Sequence, residues 1–486
     1  MAGIAGMLGA GATQEAVDRM LDKLAHRGPD EQWSTSGQNW AMGVCTPALA
    51  ATPARSHVSK EGLVVLLDGE IYNGAQTTSE VESMAAAYRQ YGRTFAAHMH
   101  GAFAGAVYAR GEIILVRDPI GIRPLYWGRA TDGTLVFASE MKAMVGLVDE
   151  IHEMGPATVF STQAGVQGYL PIHPFVPVPD GMEAAREALR EALFRATERR
   201  LRDGAVGGML LSGGLDSSII AAIANQIKPG LPAFTVGVSG APDVLNARVM
   251  AEHLGIEHHV REIGADDIRA TIPKAVYTLE SFDEDCVSGA IINLLASEWA
   301  GGWTNCILSG EGADELNGGY LLLKELPDDE ARRRVMARLL EISYNTALQR
   351  LDRAMLGHSM NYRTPFLDAE VVALCLQLPV QWKIHTAADG TLIEKWLLRE
   401  AFRDMLPEQI HRREKHRFSG GSGTDHLIES ISDEMIPPGE FTESARQTVG
   451  GYRLNSPKEL HYYRLFKEHF PATGFEQLVG RWDPGK

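Results

Sequence analysis

The sequence predicts an α/β protein in two units, an α+β unit first and a parallel-sheet unit second. Three observations carry that expectation. Residues 1–165 alternate short apolar runs with Gly and Asp, as in "GLVVLLDGEIYN", "AFAGAVYARGEIILVRD" and "GTLVFASE", the pattern of short strands joined by turns. Prolines then cluster in Tyr169–Gly181, "YLPIHPFVPVPDG". Proline lacks a backbone donor and resists regular pairing, so this stretch reads as a linker. Beyond it, strand-like runs alternate with helix-like runs, the order that builds a parallel sheet. The expected boundaries are 1–165, a Pro-rich linker over 166–182, and 183–486.

The elements of the second unit follow in order. "MEAAREALREALFRATERRL" (Met182–Leu201) has apolar residues at helical spacing with charges between them, which predicts an amphipathic helix. "VGGMLLSGGLDSSIIAAIANQI" reads as an apolar strand, a Gly-rich turn and a helix. "LPAFTVGVSG" is a second strand, "DVLNARVMAEHLG" a helix, and "TNCILSGEGADE" a third strand ending in a loop. In such sheets ligands sit beyond the carboxyl ends of the strands, where these Gly-rich turns fall. His258 and His259 follow a helix pattern and read as surface or core histidines. From about Leu321 the pattern is mostly helical.

At 486 residues the chain is long enough for two or three domains with cores of their own. Its hydrophobic fraction of 45% and charged fraction of 22% are those of an ordinary globular protein. The formal charge is -16 with no Lys/Arg-rich block, so no nucleic-acid partner is expected, because phosphate backbones need a basic face. No run of about 18 apolar residues exists to span a bilayer, and the basic and apolar regions of a secretory signal are missing. Cys45, Cys286, Cys306 and Cys375 are scattered without CxxC spacing and read as free thiols in a reducing compartment. A cytoplasmic enzyme is the expectation, with a homodimer left open.

"SGGLDSS" (Ser212–Ser218) falls between a strand pattern and a helix pattern. Gly213 and Gly214 let the backbone approach an anion closely. The helix N-terminus and the hydroxyls of Ser212, Ser217 and Ser218 supply donors. The Lys-Ser/Thr ending of a Walker A loop is missing. Asp216 within a phosphate loop makes sense as a ligand for Mg2+, which takes carboxylate and phosphate oxygens together. The alternative is a Gly-rich tight turn with no ligand.

This segment resembles the pyrophosphate loop of ATP pyrophosphatases. A second acidic loop, "SGEGADELNGGY" (Ser309–Tyr320), narrows the match, together with "YRTPFLD", "EKWLLRE" and "RREKHRFSGGSG". With "HRGPD" (His26–Asp30), "DGEIYN" (Asp68–Asn73), "RDPIGIRPLYW" and "FASEMKAM" in the front half, the chain resembles class B asparagine synthetases and their β-lactam synthetase relatives. The resemblance implies an Ntn-hydrolase-like αββα sandwich followed by an adenine-nucleotide α-hydrolase-like, PP-loop domain. It implies ATP and Mg2+ as cofactors and, as partners, a carboxylic acid with ammonia or an amine. The acid is adenylated with loss of pyrophosphate, and the amine then displaces AMP. Residue by residue, it implies Asp216 and Asp314 as metal ligands and Lys415 and Lys395 as phosphate-facing catalytic lysines. Glu311 becomes the group that positions or deprotonates the amine. Leu211, Ser212, Val236, Asp243 and Gly310 fall at positions near the nucleotide.

The front half departs from the family. A glutaminase needs a thiolate as nucleophile, and the family's cysteine is Ala2 here. The family's oxyanion-binding Asn is Asp68, and the Asp that holds the glutamine amine is His98. The stretch near "GVCTPALA" (Gly43–Ala50) has no Arg to clamp the glutamine carboxylate. The N-terminal unit therefore reads as a retained scaffold without glutaminase activity. β-Lactam synthetases also carry such dead domains, but they replace the glutamate of "SGEGADE" by Tyr paired with a distant Glu. Here Glu311 is kept, and the ungapped counterpart of that partner is Gln349.

Asparagine synthetases have "TTIRAS" after "E-[TS]-[YF]-D", and its Thr and Arg help bind aspartate. "ESFDEDCVSGA" (Glu280–Ala290) puts Asp285 and Ser288 at those positions. Arg is the usual bidentate clamp for a carboxylate, so its loss argues for an acid other than aspartate. The open alternatives are an intramolecular β-lactam-forming cyclase, an ammonia-dependent asparagine synthetase, and a silent scaffold. Pure protein is expected to release no glutamate from glutamine above a heat-killed control. Ala2→Cys alone is expected not to restore release, since the clamp is also missing.

Overall fold

The computed structural model describes residues 1–47, 56–59, 61–74, 79–171, 176–177, 179–415, 418–437, 439–448 and 450–482. The N-terminal unit is a sandwich of two antiparallel sheets. One runs in the order Glu150–Glu153, Tyr126–Arg129, Leu135–Ala138, Gly3–Leu8, Trp40–Thr46, Glu31–Gly37. The other runs Gly165–Gly168, Thr158–Ser161, Glu112–Arg117, Gly101–Ala109, Val64–Ile71, Ser56–Val58. Their inner faces share a core of Ile4, Met42 and Phe137 from one and Leu66, Ala104 and Leu115 from the other. Helix Gln14–Leu24, capped by Thr13, covers one outer face with Val17, Met20 and Leu21. Helix Glu80–Tyr91 opens on a Ser79–Glu82 capping box and covers the other with Val81, Met84 and Ala85. This is the expected αββα arrangement.

Helix Met182–Leu201 spans the residues its periodicity predicts. Part of the proline cluster, residues 172–175 and 178, lies outside the described residues. The second unit is built on a parallel sheet in the order His258–Ile263, Ala233–Val238, Gly208–Leu210, Cys306–Leu308, Asn361–Arg363. Its three central strands are those read from sequence. The outer two are not. "HHVREI" is too polar to read as an apolar run, and "NYR" is a three-residue strand whose place depends on what Arg363 meets across the chain. The four cysteines are buried and free, and among the described residues no helix is long and apolar enough to cross a membrane.

A buried ion network joins the two units. Arg27 is fully buried; its guanidinium donates to Ala2 O at 2.9 Å, Glu140 at 2.7 Å, Asp352 at 2.9 Å and Asp68 at 2.7 Å. Asp352 also accepts from Arg123 at 2.7 Å, and Arg353 lies 3.0 Å from both Glu140 and Glu280. Arg363, on the edge strand, holds Glu70 of the "DGEIYN" strand at 2.8 Å. Burial works against the charged form of Asp352 and Glu140. Arg27 and Arg123 beside Asp352, and His26, Lys142 and Arg353 around Glu140, nonetheless hold both carboxyls below the usual range. A depressed folded-state pKa stabilises the fold above the unfolded value and ceases to as pH falls through the folded value. Stability should therefore be full above about pH 4.5 and decline in more acidic solution, as followed by chemical denaturation at stepped pH. Asp352→Asn should cost about 3–5 kcal/mol near neutral pH, because it leaves two buried guanidinium groups short of a partner.

Candidate active site

The cleft lies beyond the carboxyl ends of the central strands. The first loop leaves strand Gly208–Leu210 and enters helix Leu215–Ile227. Gly213 has φ +65°, and a Cβ there would lie 2.3 Å from the Ala247 nitrogen, so only glycine fits the turn. Ser212 N donates to Ser217 Oγ at 3.2 Å, and Gly214 N to Ser212 Oγ at 3.3 Å, which folds the loop over the helix N-terminus. The second loop leaves strand Cys306–Leu308 and enters helix Ala313–Asn317. At Gly310 a Cβ would lie 2.8 Å from Ser217 N, so the two loops touch backbone to backbone.

Charged side chains converge where these loops meet. Lys395 Nζ donates to Asp216 at 2.8 and 2.6 Å and lies 2.6 Å from Asp314 Oδ1, an ion pair without hydrogen-bond alignment. Lys415 Nζ donates to Asp314 Oδ2 at 2.6 Å. Burial opposes ionisation of Asp314, but Lys395 and Lys415 hold its carboxyl well below the usual range. Burial likewise works against the Lys415 ammonium, yet Asp314 and Asp216 raise it above the ordinary lysine value. Glu311 faces the same cleft and accepts from Arg350 at 2.8 Å. Among the described residues no cluster of three or more His, Cys, Asp or Glu could cage a metal. The donors instead suit Mg2+ brought with phosphate oxygens, since two carboxylates already share one cationic point.

The cavity, about 170 Å³, is lined by most of the residues that sequence singled out. Leu211, Ser212, Gly214, Asp216 and Ser217 form one wall, and Gly310, Glu311 and Asp314 another. Val236 and Asp243 border it, as do Lys395 and Lys415. Gly213 shapes the loop from behind, and Ser218 is fully buried on the inner side of its helix; neither lines the cavity. Asp285 and Ser288 do not line it either. Ser288 is buried beside Tyr462, while the next turns of helix Glu284–Ala300 bring Ile292, Asn293 and Ala296 to the cavity. The reason is position along the helix: Ser288 lies about one turn, and Asp285 about two turns, before Ile292, where the helix reaches the cavity. Gln349 is buried with its amide on Leu279 O at 2.8 Å. His258 and His259 lie in an edge strand. His258 contacts Thr235 Oγ1 at 2.8 Å, and burial, with Arg248 nearby, lowers it to about 4; His259 stacks on Phe234.

Arg413 and Arg350 are among the cleft residues that the sequence reading did not single out. Arg413 bonds Asp243 and reaches Ser212 O at 3.4 Å; its place two residues before Lys415 was the available signal. Arg350 sits in an ordinary-looking helix, Ala347–Leu356, with no motif around it. In the N-terminal unit, Ala2 N donates to Asp68 at 3.0 Å and Arg27 takes the other carboxylate oxygen. Asp68 is therefore consumed by internal partners. His98 stacks on Tyr91 with ring centroids 3.6 Å apart. Of Gly43–Ala50, residues 48–50 lie outside the described residues.

The profile of the family described as "Asparagine synthase" matches residues 188–334 and 321–444, more than half of the chain. The chain belongs to the asparagine synthase family. A profile described as "Glutamine amidotransferase domain" matches residues 1–167. Similar proteins include "Asparagine synthetase [glutamine-hydrolyzing] 2" of Arabidopsis thaliana, 29% identical over 99% of this chain and 89% of its own length. The rice protein of the same description is 28% identical, covering 99% and 87%. Among solved structures, NMN synthetase from Francisella tularensis aligns with a TM-score of 0.29 at 13% identity, over 60% of this chain and 94% of that one. As a family member the chain is an ATP-dependent, AMP-forming carbon–nitrogen ligase acting on a carboxylate. Asp216→Asn, Asp314→Asn and Lys415→Ala should each lower acid-dependent pyrophosphate release by about 10²-fold or more, the scale of losing one transition-state contact, with circular dichroism unchanged.

Proposed function

We propose that this asparagine synthase family member adenylates a carboxylic acid other than aspartate and joins it to ammonia or an external amine, with Mg2+ and without hydrolysing glutamine. The observation that supports it best is the convergence of Asp216, Asp314, Lys395 and Lys415 on one point, with Glu311 in the same cavity. Two anions, the acid and the triphosphate, must meet for adenylation, so positive charge must be held at the phosphates. Asp216 and Asp314 would hold the Mg2+, which would draw charge from the α-phosphate as pyrophosphate leaves. Lys415 and Lys395 then stabilise phosphate charge as the acid's oxygen bonds to the α-phosphorus. In the second step the amine nitrogen attacks the acyl carbon and AMP departs. The nitrogen must lose a proton, and Glu311 is the cleft carboxylate positioned to take it.

The acid assignment is supported by Asp285 and Ser288 in place of the family's Thr and Arg. Because neither side chain lines the cavity, their influence is through the course of helix Glu284–Ala300, which does. The absence of a glutaminase is supported by Ala2, by the Arg27 and Ala2 contacts that occupy Asp68, and by His98. The N-terminal unit then serves as a scaffold, and specialised metabolism is the setting such a ligase suits. The test is pyrophosphate release from ATP over a panel of acids, with and without ammonia or amines. Aspartate should not be the best acid; asparagine formed from aspartate and ammonia as the best reaction would overturn the assignment. Glu311→Gln should slow amide formation more than pyrophosphate release.

A further inference from the structure

Lys395 is held in an unusual way. Its backbone is left-handed, φ 54°, directly before helix Trp396–Ala401. Non-glycine residues adopt that conformation only where their surroundings hold them. Its side chain is 2% exposed, and its ammonium sits between both oxygens of Asp216 and Oδ1 of Asp314. Gly319 makes that approach possible. A Cβ there would fall 1.9 Å from Asp314 Oδ1 and 2.1 Å from Lys395 Cε. With Lys415 on the other oxygen of Asp314, two carboxylates are matched by two ammonium groups.

We infer that in the nucleotide-free protein Lys395 is the resident counter-ion of the Asp216–Asp314 pair, so that a free divalent cation has no site and metal enters only together with the triphosphate. The inference rests on these two aspartates being the metal pair. A bare dication would have to displace the Lys395 ammonium and would then face two ammonium groups with no new partner to receive them. Like charges a few ångströms apart in a part-buried cleft repel strongly. A metal–nucleotide complex changes the balance. Its phosphates accept Lys395 and Lys415 while the carboxylates pass to the cation.

The test is titration with Mn2+ alone, followed by loss of the free-ion electron paramagnetic resonance signal. Wild-type protein should bind little Mn2+ without nucleotide, and should bind it stoichiometrically with α,β-methylene-ATP, which cannot be split at the α–β bond. Lys395→Met should bind Mn2+ without nucleotide about 10- to 100-fold more tightly than wild type, the effect of removing one like charge beside the ion. Lys395→Asn, whose side chain tolerates the left-handed backbone, gives the same reading should the Met variant not fold. Equal nucleotide-free affinity in wild type and variant overturns the inference. Adding Asp216→Asn to Lys395→Met should abolish the gained binding. If the gain persists, the metal pair itself is wrong, and the inference falls with that assignment.

Discussion

Arg27 is a guanidinium with no contact to solvent, and such a group is tolerable only where partners surround it. It takes the Ala2 carbonyl just before the first strand, Asp68 from the "DGEIYN" strand, Glu140 from the turn after strand Leu135–Ala138, and Asp352 from a helix of the other unit. Each of those groups is in turn fully buried. Desolvating charges costs several kcal/mol per ion unless the geometry is met in full. The positions of two strands, one turn and one distant helix are thereby tied to a single side chain. This part of the N-terminal unit is the anchor of the interface between the two units.

That anchor bears on the chemistry through one helix. Asp352 and Arg353 face the N-terminal unit, whereas Arg350, less than one turn earlier, faces the cleft and pairs with Glu311. Arg353 also reaches Glu280, whose carboxylate accepts from the backbone of Met141 and Lys142. Glu280 closes helix Ala265–Leu279 in a left-handed conformation, and helix Glu284–Ala300 begins four residues later. Two walls of the cavity are thus referenced to the N-terminal unit, although among the described residues that unit contributes none to the cavity lining. The N-terminal unit thereby has a structural part in placing the cleft.

The cleft itself is an electrostatic compromise. Asp216 and Asp314 come together at the edge of a part-buried cavity, where like charges repel and desolvation disfavours ionisation. Both are matched by cations from far along the chain: Lys395 across 179 residues and Lys415 across 101. Glycines allow the approach. Gly310 brings the two loops together, and Gly319 makes room for the Lys395 stem. In such a site small residues are as exacting as charged ones, since an added methyl group would occupy the space of a contact.

Much of this was legible from the chain alone. The strand–loop–helix units around "SGGLDSS" and "SGEGADE", the helix Met182–Leu201 and the strand-rich first unit follow from periodicity, turn residues and local backbone demands, which act over a few residues and leave a mark in each segment. The departures at Ala2, Asp68 and His98 were equally plain, because residue type by itself bears on whether a nucleophile or a donor exists. The edge strands His258–Ile263 and Asn361–Arg363, the pairing of Arg350 with Glu311, the burial of Ser288 and the partners of Arg27 were not. They depend on how the helices pack around the cleft and on ion pairs as distant as Arg27 and Asp352, 325 residues apart. Residue types and local backbone needs are written in sequence order. The energy of a buried charge depends on its neighbours in space, and only the folded chain brings those neighbours together.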